Sequence, residues 1–257
     1  MAKKGLSEQE LRKICALIHE NKYEEAKSLI PVQYRHLPLI VEQPFAVFGF
    51  LGRDQFGQWP LLHFAISEDA CEMIEFLLDG GTNIEIRNVR YSHTPLLTAV
   101  DLGKEECCEL LLDRGASIEA RCSGGWTPLI LAAYHGDENM CKLLLNRKAD
   151  INARDIDGRS VLRHATHFPK MPVIKLLLAE GAHIDKDNYD TSPIDAVKRD
   201  PHAKQFIPLF ENQIVTLNLS GVISRSLIVH SLFSDFLIHK IDDPRLFIIV
   251  SHFAFQK

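Results

Sequence analysis

Between residues 60 and 190 the apolar and polar positions keep one rhythm. Four apolar triplets (Phe76-Leu77-Leu78, Leu110-Leu111-Leu112, Leu143-Leu144-Leu145 and Leu176-Leu177-Leu178) each stand sixteen residues after a segment start, at Pro60, Thr94, Thr127 and Ser160. Within a segment the apolar residues fall at helical spacing in two bursts parted by a short polar turn. In the third segment Leu129, Ala132 and Ala133 predict a short helix with a small-residue face. Met140, Cys141, Leu143 and Leu144 predict a second helix with an apolar stripe, and Gly136 separates the two. Thr94-Pro95 and Thr127-Pro128 supply a capping hydroxyl and a proline whose missing N–H is harmless in a first helical turn. After the second helix come Gly or Lys, small or polar residues and an Ile, as in Gly115-Ala116-Ser117-Ile118 and Lys148-Ala149-Asp150-Ile151. An extended finger follows, Ala149–Gly158 in the third segment. A shortened fifth segment starts at Ser192, so the starts lie 32–34 residues apart.

This period, with Thr-Pro-Leu at its start and the apolar triplet in its second helix, resembles the ankyrin repeat over residues 50–212, in about five copies. The resemblance implies an all-α fold: an ankyrin-repeat solenoid of stacked helix-turn-helix units with β-hairpin-like fingers. One unit cannot bury its apolar faces alone, whereas stacked neighbours can, so stability is spread along the array. Several positions depart from the family pattern. Trp59-Pro60 replaces Thr-Pro in the first full copy, and Leu97, Ile130 and Arg163 replace the family histidine in the later ones. Pro169 and Pro172 are expected between the helices of the fourth copy, where they would loosen the corner.

The flanks break the period. Residues 1–49 read as a divergent N-terminal helical hairpin cap plus a Pro-rich insertion. The hairpin places Leu11, Ile14 and Ile18 on its first helix and Tyr23, Ala26, Leu29 and Ile30 on its second. The insertion, with its prolines and its Leu39-Ile40-Val41 run, is expected to be extended. Residues 213–257 form an apolar tail that must fold, dock or bind. Three readings of it stand: a cap on the array, a small helical motif docking a second protein, or an end without a stable fold. "SLFSDFLIHKIDDPRLFIIVSHF" is similar to F-box-type helices. It lacks a Leu-Pro-x-Glu opening, and no Leu-x-x-x-Cys box marks a SOCS motif. Ankyrin arrays with such a box recruit ubiquitin ligases, so a substrate-recognition adaptor is the alternative function that the resemblance implies.

Composition narrows the classes further. The net charge of −5 advertises neither nucleic acid nor an anionic membrane surface. No apolar run is long enough to span a bilayer, and the polar opening "MAKKGLSEQELRK" lacks a secretory core. Of the six cysteines, Cys71, Cys107, Cys108 and Cys141 sit inside apolar-periodic stretches, as buried thiols of a reducing compartment do. The expected location is the cytoplasm, with the nucleus open to the chain as well. No Ser-His-Asp set, glycine-rich phosphate loop or Cys-His pair is left once the repeats are assigned, so neither catalysis nor a cofactor is expected. His164 and His167 lie at a helical spacing that suits a metal, but no third ligand is spaced to join them, and no metal is expected.

What remains is recognition of a protein partner. Finger tips and inner-helix turns form the usual concave binding face of ankyrin arrays. Here the resemblance assigns to it Tyr91, His93, Trp126, Tyr134, His135, Arg159, His167, Phe168 and Tyr189. Aromatic residues and arginine are the types that dominate interface energetics. Arg53, Arg87, Arg121 and Arg154 recur at one finger position, with Glu85 and Glu119 two residues before two of them. This column is either a positive strip for an acidic partner or, as favoured here, an Arg/acid ladder between fingers. Asn152 resembles the finger asparagine that asparaginyl hydroxylase modifies in some ankyrin proteins. Its expected main role is to bond finger backbone.

Overall fold

The computed structural model describes residues 6–31, 40–42, 58–166, 171–184, 186–189, 191–193 and 198. The chain divides into two units, 1–207 and 208–257, and every described residue lies in the first. Most of the fifth segment beyond Pro193 and the whole apolar tail therefore lie outside the described residues.

Each of the four full segments is a pair of short helices. They are α3 (Leu61–Ser67) with α4 (Cys71–Asp79), α5 (Pro95–Asp101) with α6 (Glu105–Asp113), α7 (Pro128–His135) with α8 (Glu138–Asn146), and α9 (Val161–Ala165) with α10 (Met171–Ala179). The first helices stack in a row, α3 on α5, α5 on α7 and α7 on α9, while α4 packs on α6 and α8 on α10. The caps explain the starts. Thr94, Thr127 and Ser160 accept from the backbone N–H of Leu97, Ile130 and Arg163 at 3.4, 3.4 and 3.2 Å. Pro95 and Pro128 occupy the first helical turn, where no N–H is required. Gly136 closes α7 in a left-handed conformation, φ +69°. The fourth pair corrects one expectation. Pro172 lies in the first turn of α10, a position proline tolerates, and not in the corner between the helices.

The inner row is apolar, and in α7 it includes the small residues Ala132 and Ala133. Leu96, Leu97, Leu129, Ile130, Ala132, Ala133, Val161 and Leu162 are all buried at the helix contacts, with Met73, Ile74, Met140 and Leu144 behind them. His63 occupies the position that Leu97 and Ile130 hold in the next two repeats and is fully buried. Its Nδ1 accepts from Thr98 Oγ1 at 2.8 Å and its Nε2 donates to the Ile86 carbonyl at 3.0 Å. Both ring nitrogens are thus used, and burial lowers its pKa to about 4, keeping it neutral.

The N-terminal hairpin is α1 (Glu8–His19) and α2 (Tyr23–Ser28). It stacks as another pair would, α1 against α3 and α2 against α4, and buries Ile14, Ile18, Ala26 and Ile30. Ser7 and Glu10 form a capping box at its start, a Ser-x-x-Glu signal readable in the sequence but missing from the expectations above. Two short strands, β1 (Ile40–Glu42) and β2 (Gln58–Pro60), pair antiparallel with Ile40 opposite Pro60 and Glu42 opposite Gln58. The extended character around Ile40 was expected; its pairing with the start of the first repeat was not. No described helix is long and apolar enough to cross a membrane.

Candidate functional site

The fingers rise between successive helix pairs and are built on one turn. Asp155 Oδ1 accepts the N–H groups of Asp157 and Arg159, both at 2.9 Å. Asp187 does the same for Tyr189 and Thr191, and Asn88 for Tyr91 and His93. Such side-chain acceptors substitute for a strand partner and hold a tight turn without a sheet. Gly158, at φ +74°, crosses that turn so close to the next finger that a Cβ would sit 2.3 Å from Asn188 Oδ1. Gly125 has the same conformation against Ile156. Glycine is required at both places by backbone conformation and by space.

Two ladders then join finger to finger. Arg87 Nη1 donates to the Ser92 carbonyl in its own finger at 2.7 Å and to the Arg121 carbonyl in the next at 2.6 Å. Arg121 repeats this with Gly125 and Arg154, at 3.0 and 2.6 Å, and Arg154 with Gly158 and Lys186, at 2.7 and 3.1 Å. The acids form a second ladder: Glu85 accepts the Ser117 N–H at 2.7 Å and Glu119 the Asp150 N–H at 2.8 Å. Asn152 continues it by accepting the His183 N–H at 2.9 Å. An inter-finger ladder was expected, but its chemistry differs. Arg87 and Arg121 bond carbonyls and Glu85 and Glu119 bond amides, because finger backbone leaves both kinds of group without sheet partners. Arg53 lies outside the described residues.

The assigned recognition residues form two groups. Near the second segment, Asp101 sits between two histidines, with His135 Nε2 donating to it at 2.9 Å and His93 Nδ1 3.9 Å away. His135 is exposed, whereas His93, assigned to the same face, is only 8% exposed. Burial lowers the pKa of His93, against the opposing pull of Asp101. Tyr91 packs beside His93, ring centres 5.3 Å apart, under the Arg90 guanidinium, and remains 44% exposed.

The second group centres on Trp126, half-buried, with its ring 5.0 Å from Tyr134 and 4.6 Å from His164. His164 is buried and donates from Nε2 to Asp155 Oδ2 at 2.8 Å; burial depresses its pKa and the carboxylate partly restores it. His164 is therefore engaged structurally, while His167 and Phe168 lie outside the described residues. Arg159 pairs with Asp157 at 2.9 Å and reaches over the Tyr189 ring, 6.0 Å from its centre. Tyr189 is 66% exposed and donates its hydroxyl to Asp157 at 3.2 Å. Sequence reasoning missed Val89 and Ile156, the most exposed large apolar side chains among the described residues at about 70%. The signal was available: both follow directly on a finger-turn residue, Asn88 and Asp155.

Burial pushes Cys108 and Cys141 up to about 12, so both stay protonated near neutral pH. Against known proteins, residues 62–155 match the family model of ankyrin repeats, in three copies. A 70-residue stretch is 40% identical to a "Transient receptor potential cation channel subfamily A member 1 homolog" of Caenorhabditis elegans. That stretch is 27% of this chain and 6% of the relative's length.

Proposed function

Because this chain carries ankyrin repeats, which are generally protein–protein interaction modules, we propose that it binds one protein partner through the concave face formed by its finger tips and inner-helix turns. The observation that carries this reading is the row of exposed apolar and aromatic tips, Val89, Tyr91, Ile156 and Tyr189, on fingers locked to one another by the two ladders. Exposed apolar side chains on a stiff backbone lose little entropy on docking, so modest contacts suffice for affinity. The face acts without catalysis or cofactor, in the cytoplasm or the nucleus.

Trp126 and Tyr134 are half-buried in the aromatic group around His164, so truncating them confounds binding with folding. The cleaner test is Ile156→Ser with Tyr189→Ala. Affinity capture with identified prey, followed by titration of that prey, should show the double variant weakened by more than about 1 kcal/mol. Its unfolding midpoint should stay put, since neither side chain is buried. Unchanged affinity removes this face from the reading. A second reading, substrate adaptor of a ubiquitin ligase, is favoured by the apolar composition of residues 213–257. It requires that the chain cut after 212 lose ligase subunits while retaining the client.

A further inference from the structure

On the helix turns, Asp69, Cys71 and Cys107 bring one ligand atom each within 4.8 Å of one another. We propose that these three side chains form a binding site for a thiophilic divalent cation of the zinc class, clipping the first full repeat to the second.

Two of the three ligand separations suit a tetrahedral ion. Zinc–sulfur bonds of about 2.3 Å at tetrahedral angles hold two sulfurs about 3.8 Å apart. The Sγ atoms of Cys71 and Cys107 are 3.8 Å apart. Asp69 Oδ1 is 3.2 Å from Cys107 Sγ, within a few tenths of an ångström of the tetrahedral edge to a carboxylate oxygen about 2.0–2.2 Å from zinc. Lys104 Nζ donates to the other oxygen of Asp69 at 3.3 Å, leaving Oδ1 for the ion. The charges also close: three anionic ligands exceed a divalent ion by one negative charge, and Lys104 supplies the balancing positive one. Asp69 is exposed and Cys71 half-exposed, so the fourth corner is open to water.

The set arises from a departure in the repeat. Asp69 holds a left-handed conformation, φ +58°, in the turn between α3 and α4. At the same turn the next two repeats use Gly103 and Gly136, at φ +66° and +69°. A non-glycine residue there is strained by about 1–2 kcal/mol. That strain sets the carboxylate beside Cys71, at the start of α4, while α6 brings Cys107 from the following repeat. The next repeats carry Glu105 and Met140 where this set has Cys71 and Cys107, so the ligand set is not repeated there.

An ion held by both repeats would add its binding free energy to their interface and displace the thiol protons. The test is Co²⁺ titration of the reduced full chain under anaerobic conditions. It should give one equivalent bound, with a sulfur-to-metal charge-transfer band. That band should disappear in Cys71→Ser/Cys107→Ser and weaken in Asp69→Asn, and it should persist in Cys141→Ser. A readout without substitutions guards against misfolded variants: Zn²⁺ should slow alkylation of Cys71 and leave that of the half-exposed finger residue Cys122 unchanged. A band retained by the double variant, absence of the band at millimolar Co²⁺, or equal effects of Zn²⁺ on Cys71 and Cys122 would each overturn the site.

Discussion

Cys122 occupies the place in its finger that Asn88, Asp155 and Asp187 hold in the others. The backbone around it is the same: Cys122 N–H donates to the Trp126 carbonyl and Gly125 N–H to the Cys122 carbonyl, both near 3 Å, as Asp155 does with Arg159 and Gly158. What differs is the side chain. Asp155 accepts the amides two and four residues on, whereas a thiol at 122 offers no oxygen to the amides of Gly124 and Trp126. Cys122→Asn restores that acceptor. Two such bonds contribute about 1–3 kcal/mol, and ordering a half-exposed Asn offsets up to about 1 kcal/mol. A net gain of about 1 kcal/mol raises the unfolding midpoint of a domain this size by about 2–4 °C. Cys122→Asp should gain less. In the Asp155 finger the second carboxylate oxygen is satisfied by His164, and the matching position in the Cys122 finger is the buried Leu131. Thermal unfolding of the three chains at pH 7 decides the matter. If neither substitution raises the midpoint, or if Asp equals Asn, the turn does not depend on that acceptor and the reasoning fails.

Two further outcomes follow from the same structure. His63 is neutral in the fold with its pKa lowered to about 4, while the unfolded chain takes up the proton near 6.5, so stability is full above about 6.5 and falls as pH drops towards 4. The loss reaches about 3 kcal/mol; chemical denaturation across that range should show it, His63→Leu should flatten the slope, and an unchanged slope would clear His63. Arg121→Ala removes bonds to the Gly125 and Arg154 carbonyls and should lower stability by about 1–2 kcal/mol. Arg147→Ala, which loses only the surface pair to Asp113, should cost under about 1 kcal/mol, and equal losses would refute the ladder.

Local chemistry made the helix pairs legible. Thr127-Pro128 announces a capped start whatever the rest of the chain does, and Gly136 announces a left-handed end, because both depend on a residue's own backbone preferences. Periodic burial is nearly as direct, since a helix shows the same face every three to four residues. The candidate face was only partly legible. Tyr91 and Tyr189 do present exposed rings, but His93 is buried beside Tyr91, because its exposure depends on where Asp101 and Tyr91 stand.

The sequence by itself determined that helices pair, that pairs repeat every 32–34 residues, and that the repeats must stack to bury their apolar stripes. Tertiary structure alone decided what the polar residues between them do. Arg121 meets a carbonyl of the next finger, Glu119 meets an amide, and Cys107 meets Asp69 and Cys71 from the repeat before. Backbone carbonyls and amides are the same at every residue, so no side-chain pattern reveals which of them an arginine or a glutamate will reach. Contacts more than thirty residues apart arise only when stacking sets the distance between neighbouring repeats.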